Sequence, residues 1–125
     1  IDVIIGGHPH VVQDYEVLTA SDGRRVPVMY SLGNLVSNQR WEDSNGGILT
    51  TVDIDCETHK VVNIDYIPFY VHKGKLAGER RNYYCIPTYD YLEGKLPISL
   101  PNDSLEQDLR LFHTNVTNRI PSTEL

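Results

Sequence analysis

The sequence predicts an α+β chain, β-rich and closed by one C-terminal helix. Three observations carry this. Residues 48–55 alternate, with Ile48, Thr50, Val52 and Ile54 on one face and Leu49, Thr51, Asp53 and Asp55 on the other, the period of a half-buried strand. Leu105, Leu109, Phe112, Val116 and Ile120 recur at spacings of four, three, four and four, which lays them along one face of a helix over residues 104–119. Val3-Ile4-Ile5 is an unbroken apolar run that stops at Gly6-Gly7, as a buried strand of a mostly parallel or mixed sheet does.

In chain order, residues 1–5 read as that first strand, and the double glycine opens a loop at its C-terminal end. Residues 15–19 and 26–31 form a hairpin through Ser21-Asp22-Gly23-Arg24-Arg25, whose turn chemistry suits it. Leu32-Gly33-Asn34 breaks the pattern, and residues 37–47 read as a polar loop. Residues 60–67 alternate, with Val62, Ile64 and Tyr66 together, and pair with 48–55 through Cys56-Glu57-Thr58-His59 as an antiparallel hairpin with one wet face. Pro68, which lacks an N–H, is expected to end the second strand or move it to an edge. Residues 69–71 and 83–86 read as short edge strands around a loop over 72–82. Residues 88–102, with Gly94, Pro97 and Pro101, read as irregular. A capping box, Asp103 with Glu106 or Ser104 with Gln107, starts the helix, and Pro121 stops it.

At 125 residues one core is expected. Formal net charge is −6, which argues against a nucleic-acid partner, since phosphate binding needs a concentrated basic surface. The local basic cluster Lys73, Lys75, Arg80 and Arg81 reads as a solvated loop. No apolar run approaches the roughly 20 residues of a membrane span. Cys56 and Cys85 match neither a disulfide scaffold nor a zinc site and are expected as buried or half-buried free thiols. Because the chain opens on Ile1 inside a strand, residues 1–125 are expected to form a single partial domain. Its unpaired apolar edge is expected to invite self-association.

Chemistry concentrates in the histidines. His59, His72 and His113 stand alone and are expected as solvated or merely satisfied imidazoles. His8 and His10 flank Pro9, which biases His8 to an extended backbone and so should project both rings to one side. At the C-terminal edge of a strand, where open sheets hold ligands, the pair suits zinc, manganese or iron without distinguishing them. Asn34 reads either as a turn former or as a site-lining amide, and Gln13 as a residue that could orient one imidazole. Tyr30, Trp41, Tyr83, Tyr84, Tyr89 and Tyr91 read either as packing or as the wall of a substrate groove.

Gly7-His8-Pro9-His10 resembles the Gly-His-x-His element that closes the two-metal site of calcineurin-like metallophosphoesterases. The longer string from Asp2 to Gln13, followed by Val28-Met29-Tyr30-Ser31-Leu32-Gly33-Asn34-Leu35-Val36, resembles the bacterial capsule-synthesis, or poly-γ-glutamate-synthesis, branch of that fold. The resemblance implies that the chain is the β-rich C-terminal part of a four-layer αββα metallophosphoesterase-like sandwich. It implies His8 and His10 as metal ligands, two divalent ions in a full-length parent, and further ligands on earlier strands. The missing N-terminal part of the same domain would then be the chain's partner, and a cell-envelope polymer its substrate, outside the cytoplasm. The isolated chain is expected to bind metal weakly and to be inactive, while the parent is a metal-dependent, phosphoesterase-like hydrolase if it is catalytic at all. A non-catalytic role in polymer binding or assembly is the alternative, and a free-standing β-rich binding domain is a third.

Overall fold

The computed structural model describes residues 1–76, 80 and 82–125. It is a small α+β structure with two three-stranded sheets and a long C-terminal helix. Strands β1 (Ile4–Ile5), β2 (Tyr15–Thr19) and β3 (Arg25–Met29) form the first sheet in the order β1-β3-β2. It is mixed: β1 runs parallel to β3 with Ile5 beside Met29, and β2 runs antiparallel with Tyr15 beside Met29. Strands β4 (Gly46–Ile54), β5 (Val61–Gly74) and β6 (Asn82–Pro87) form an antiparallel sheet in that order.

The segment after β3 joins the two sheets. Leu32 bridges to Val12, and Gly33 bridges to Gly47 at the start of β4. Gly33 has φ +74, and a Cβ on Gly47 would stand 2.7 Å from the carbonyl oxygens of both Leu32 and Asn34. Two side-chain-free residues therefore let one backbone cross directly over the other.

Several expectations change. β1 is short, and Ile4 and Ile5 are exposed rather than buried, because β1 is an edge strand with a partner on one side alone. Pro68 does not end β5, which runs through it as the central strand of its sheet. The physical reason lies in register. Pro68 sits opposite Ile48, whose N–H donates instead to Leu32 O at 2.9 Å. Pro68 also lies just past the last β5–β6 pair, Phe69 with Pro87, and its carbonyl accepts from Thr88 Oγ1 at 3.2 Å. No ladder bond is required of the missing N–H. Residues 69–71 thus belong to the central β5, while 83–86 fall in the edge strand β6. The expected loop over 72–82 shrinks. Residues 77–79 and Arg81 lie outside the described residues, and with them part of the basic cluster. Lys73 itself is on β5 beside Tyr83.

Residues 88–102 are not wholly irregular: a short helix α1 (Thr88–Leu92) opens them. Helix α2 (Asp103–Arg119) is as its periodicity indicated, with Leu109, Phe112 and Val116 buried. Its cap is neither expected box. Asn102 is extended and its side-chain oxygen accepts from the Leu105 N–H at 3.0 Å, satisfying an orphan donor of the first turn. Both cysteines are free and exposed, not buried. Cys56 lies in the β4–β5 turn, and Cys85 is on the edge strand, where its thiol donates to Leu35 O at 3.4 Å.

The core gathers Met29, Ile48, Ile64, Tyr70, Ile86, Leu109, Phe112, Val116 and Ile120 between the sheets and α2. Two further contacts lock the helix end. Arg119 Nη1 donates to Val12 O at 2.6 Å, and the Tyr66 hydroxyl donates to Ile120 O at 2.6 Å. The first-sheet connection, β5 and the end of α2 are thereby held together.

Candidate functional site

β1 delivers the chain to the end of β3, where the Gly6 N–H donates to Met29 O at 2.8 Å. A side chain at Gly6 would strike the Tyr30 carbonyl, so glycine is what allows this close approach. The chain then reverses and re-enters pairing at Val12, with the Gln13 N–H donating to Ser31 O at 3.1 Å.

The reversal is made by His8-Pro9-His10, and here the expected extended geometry fails. His8 has φ 105° and His10 has φ 62°, so the segment is a bend and the two rings are not successive side chains of a strand. Proline's bias on its predecessor is overridden because the chain must turn back within a few residues to reach the Val12–Leu32 bridge. Positive φ at a side-chain-bearing residue costs about 1–3 kcal/mol and gathers at functional sites. Two such residues within three positions mark this turn.

Asn34 is what holds His10. It is 8% exposed, its N–H donates to Gly46 O at 3.0 Å, and its side chain faces four partners. Asn34 Nδ2 donates to Ser44 O at 2.8 Å, Gln39 Oε1 at 2.9 Å and His10 O at 3.2 Å. Three acceptors on one side orient the amide, because an NH₂ group suits them and a carbonyl does not. Asn34 Oδ1 must then be the atom 2.9 Å from His10 Nδ1. An amide oxygen accepts only, so Nδ1 carries a proton, and in the neutral imidazole the lone pair is then on Nε2. That is the arrangement by which a neighbouring amide or carbonyl prepares an imidazole to ligate a metal.

The other candidates are placed differently. His8 is exposed at the turn. Gln13 is exposed, and among the described residues no side-chain hydrogen bond joins it to either imidazole; it lines a neighbouring cleft with Tyr30 and Trp41. His59 is a turn residue with φ 55°. His113 contacts Thr88 Oγ1 through Nδ1 at 2.8 Å and meets Tyr89 edge-on, so it is satisfied as expected. His72 is not solvated. It is 2% exposed on β5, in phase with Ile64 and Tyr70, and among the described residues neither ring nitrogen has a side-chain hydrogen-bond partner. Burial holds the imidazoles of His72 and His113 below their ordinary pKa.

As a metal centre the turn is half built. His10 fits, with Nδ1 anchored on Asn34 and, among the described residues, no hydrogen bond at Nε2. Two imidazoles are still fewer than the three or four protein ligands of a stable site. Among the described residues no three His, Cys, Asp or Glu side chains gather to complete it. Gln39 and Ser44, which help to orient Asn34, fall in the stretch that the sequence reads as a polar loop. Their spacing from Asn34 carries no periodic signal, and tertiary contact alone assigns them their role.

The description bacterial capsule synthesis protein PGA_cap belongs to a family model that matches residues 1–39, the stretch that carries both His8-Pro9-His10 and Asn34. The capsule biosynthesis protein CapA of Bacillus anthracis is 28% identical to this chain over 124 residues. Both matches support a capsule-synthesis family protein. That alignment covers 95% of this chain, which spans 28% of the length of the curated relative. No solved structure matches the chain. Capsule biosynthesis associates such a protein with the cell envelope. No helix among the described residues is long and apolar enough to cross a membrane.

Proposed function

We propose that this chain is the C-terminal part of a capsule- or poly-γ-glutamate-synthesis-type protein with a dinuclear, hydrolase-like metal centre, to which it contributes His8 and His10. The observation that carries the reading is the His10 Nδ1 to Asn34 Oδ1 contact of 2.9 Å, which in the neutral ring turns the Nε2 lone pair outward at an exposed turn. The remaining donors would stand on strands of the parent that are not part of this sequence, in a four-layer αββα metallophosphoesterase-like sandwich that this chain completes. The exposed edge of β1 is then the seam for those strands, since an unpaired apolar edge favours a further strand. In the parent the reaction would occur outside the cytoplasm, on an envelope polymer.

Divalent ions, when bound, would supply Lewis acidity toward a phosphoryl or carbonyl oxygen and an activated water. The residues of this chain would do the positioning. Asn34 fixes the His10 tautomer and ring, and the strained bend at His8–His10 presents both imidazoles at the sheet edge. Alone, two ligands hold an ion weakly, and the isolated chain is inactive on this reading.

The test compares this chain with its full-length parent. Calorimetric titration with Mn²⁺ or Zn²⁺ is expected to give weak binding to the chain and tight binding to the parent, lost in His8→Ala and His10→Ala. Tight stoichiometric binding by the chain alone would overturn the half-site. A parent whose metal content and metal-dependent hydrolysis survive both substitutions would leave a non-catalytic role in polymer binding or assembly.

A further inference from the structure

We infer that the cleft beside the Val12–Leu32 bridge binds a ligand bearing a protonated amine on an apolar stem. The cleft has a volume of about 440 Å³, and its lining includes Asp14, Tyr30, Trp41, Glu42, Asp43 and Arg119. Its size falls within the roughly 300–1,000 Å³ of ordinary ligand sites. This inference stands on the cleft alone and does not depend on the metal reading.

Two features select the occupant. The first is an unbalanced charge. Arg119 is the one cation on the walls, and it is already engaged: Nη1 donates to Val12 O at 2.6 Å and Nη2 to Asp43 Oδ2 at 3.3 Å. Asp43 Oδ1 in turn accepts from Asn115 Nδ2 at 2.8 Å. Arg119 and Asp43 therefore neutralise each other, and among the described residues the carboxylates of Asp14 and Glu42 line the cleft without a cation, Glu42 Oε1 meeting only the neutral Asn115 Nδ2 at 3.5 Å. Such a site repels an anion and attracts a cation.

The second feature is a pair of open aromatic rings. Trp41 is 53% exposed and Tyr30 is 45% exposed, although both are groups whose burial would stabilise the fold. The Tyr30 ring is tethered at its hydroxyl, and the Trp41 backbone is fixed in its turn. The Tyr30 hydroxyl donates to Glu16, and the Tyr30 N–H donates to Asp14 O at 3.2 Å. The Trp41 carbonyl accepts from Ser44 N at 3.0 Å and from Ser44 Oγ at 2.7 Å. Open aromatic faces next to carboxylates that no cation pairs match an ammonium on an alkyl stem. The stem packs on the rings, and the charge gains cation–π attraction and charge-assisted hydrogen bonds.

Trp41 is the chain's one tryptophan, so its emission reports cleft occupancy directly. Tetralysine titrated into the full chain at neutral pH is expected to change that emission saturably. Side-chain-acetylated tetralysine, with the same stems and no charge, should bind at least tenfold more weakly, and tetraglutamate should not bind. Asp14→Asn combined with Glu42→Gln should weaken tetralysine at least tenfold. Asp53→Asn with Glu57→Gln, the same charge change at the far end of the β4–β5 hairpin, should leave it within twofold. Any of three results overturns the inference: no saturable change with tetralysine, equal binding of the acetylated peptide, or equal weakening by the two double variants. The last would mean diffuse attraction to a chain of net charge −6.

Discussion

Replacing Asn34 by alanine tests whether the amide is the brace of the histidine turn. Its NH₂ group has two hydrogens for three acceptors, Ser44 O, Gln39 Oε1 and His10 O, and its oxygen serves His10 Nδ1. About three full hydrogen bonds are lost, each with a net worth of about 1 kcal/mol, and a buried carbonyl left unsatisfied adds about 1–3 kcal/mol. The Ser44 carbonyl is that acceptor, since its bond with Asn34 is buried. The expected loss is therefore about 4–6 kcal/mol, a large part of the roughly 5–15 kcal/mol that stabilises a domain. With a urea slope of about 1–3 kcal/mol/M for small proteins, the midpoint should fall by about 1 M or more. Nitrogen-15 NMR of the ring should show His10 as a single Nδ1–H tautomer in the native chain and as a mixture in the variant. An unchanged midpoint with an unchanged tautomer would refute the account, because the network would then neither support the turn nor orient the ring.

Other expectations concern packing and protonation. Phe112→Ala empties a position that is 1% exposed in the core and should cost about 3–5 kcal/mol in urea or thermal unfolding; a loss below 1 kcal/mol would mean that the core collapses onto α2. Gly46→Ala should be at least as damaging, because a Cβ there would stand 2.6 Å from the Phe112 ring and against the Phe69 carbonyl; soluble chain of native stability would show that α2 can shift to admit it. Burial lowers the folded-state pKa of His72 and His113 below about 6.5. The unfolded chain then binds more protons between that lowered value and about 6.5, so stability should rise with pH through this window and fall on acidification through it. Urea midpoints at pH 5 and pH 8 check the sign. His72→Leu should flatten the slope, and equal midpoints in the native chain would exclude the effect.

Much of this structure was legible in the residue order. The α2 face, the 15–19 strand and the β4–β5 hairpin follow from periodicity, because apolar burial imposes one period on a helix and another on a strand. The Gly-His-x-His and Ser-Leu-Gly-Asn strings also singled out the region that proves to hold the His10–Asn34 contact, though not the contact itself. Other features were illegible for a definite reason. Pro68 lies inside a central strand because its neighbours demand no bond of it there, and register is a property of three strands together. His72 is buried because β5 runs on to Gly74, seven residues past the expected end.

The sequence by itself determined the α+β class, the order of the main elements and the likeness to capsule-synthesis proteins. These rest on short-range patterns that any window of the chain displays. Tertiary structure alone decided that His8 and His10 sit in a strained bend, that Asn34 sets the tautomer of His10, and that Tyr30 and Trp41 share a cleft with the carboxylates of Asp14 and Glu42. The His10–Asn34 contact and the Asp14–Glu42 cleft join residues 24 and 28 positions apart, and such distances are set by which backbones cross, at Gly33 and Gly47, rather than by any local preference.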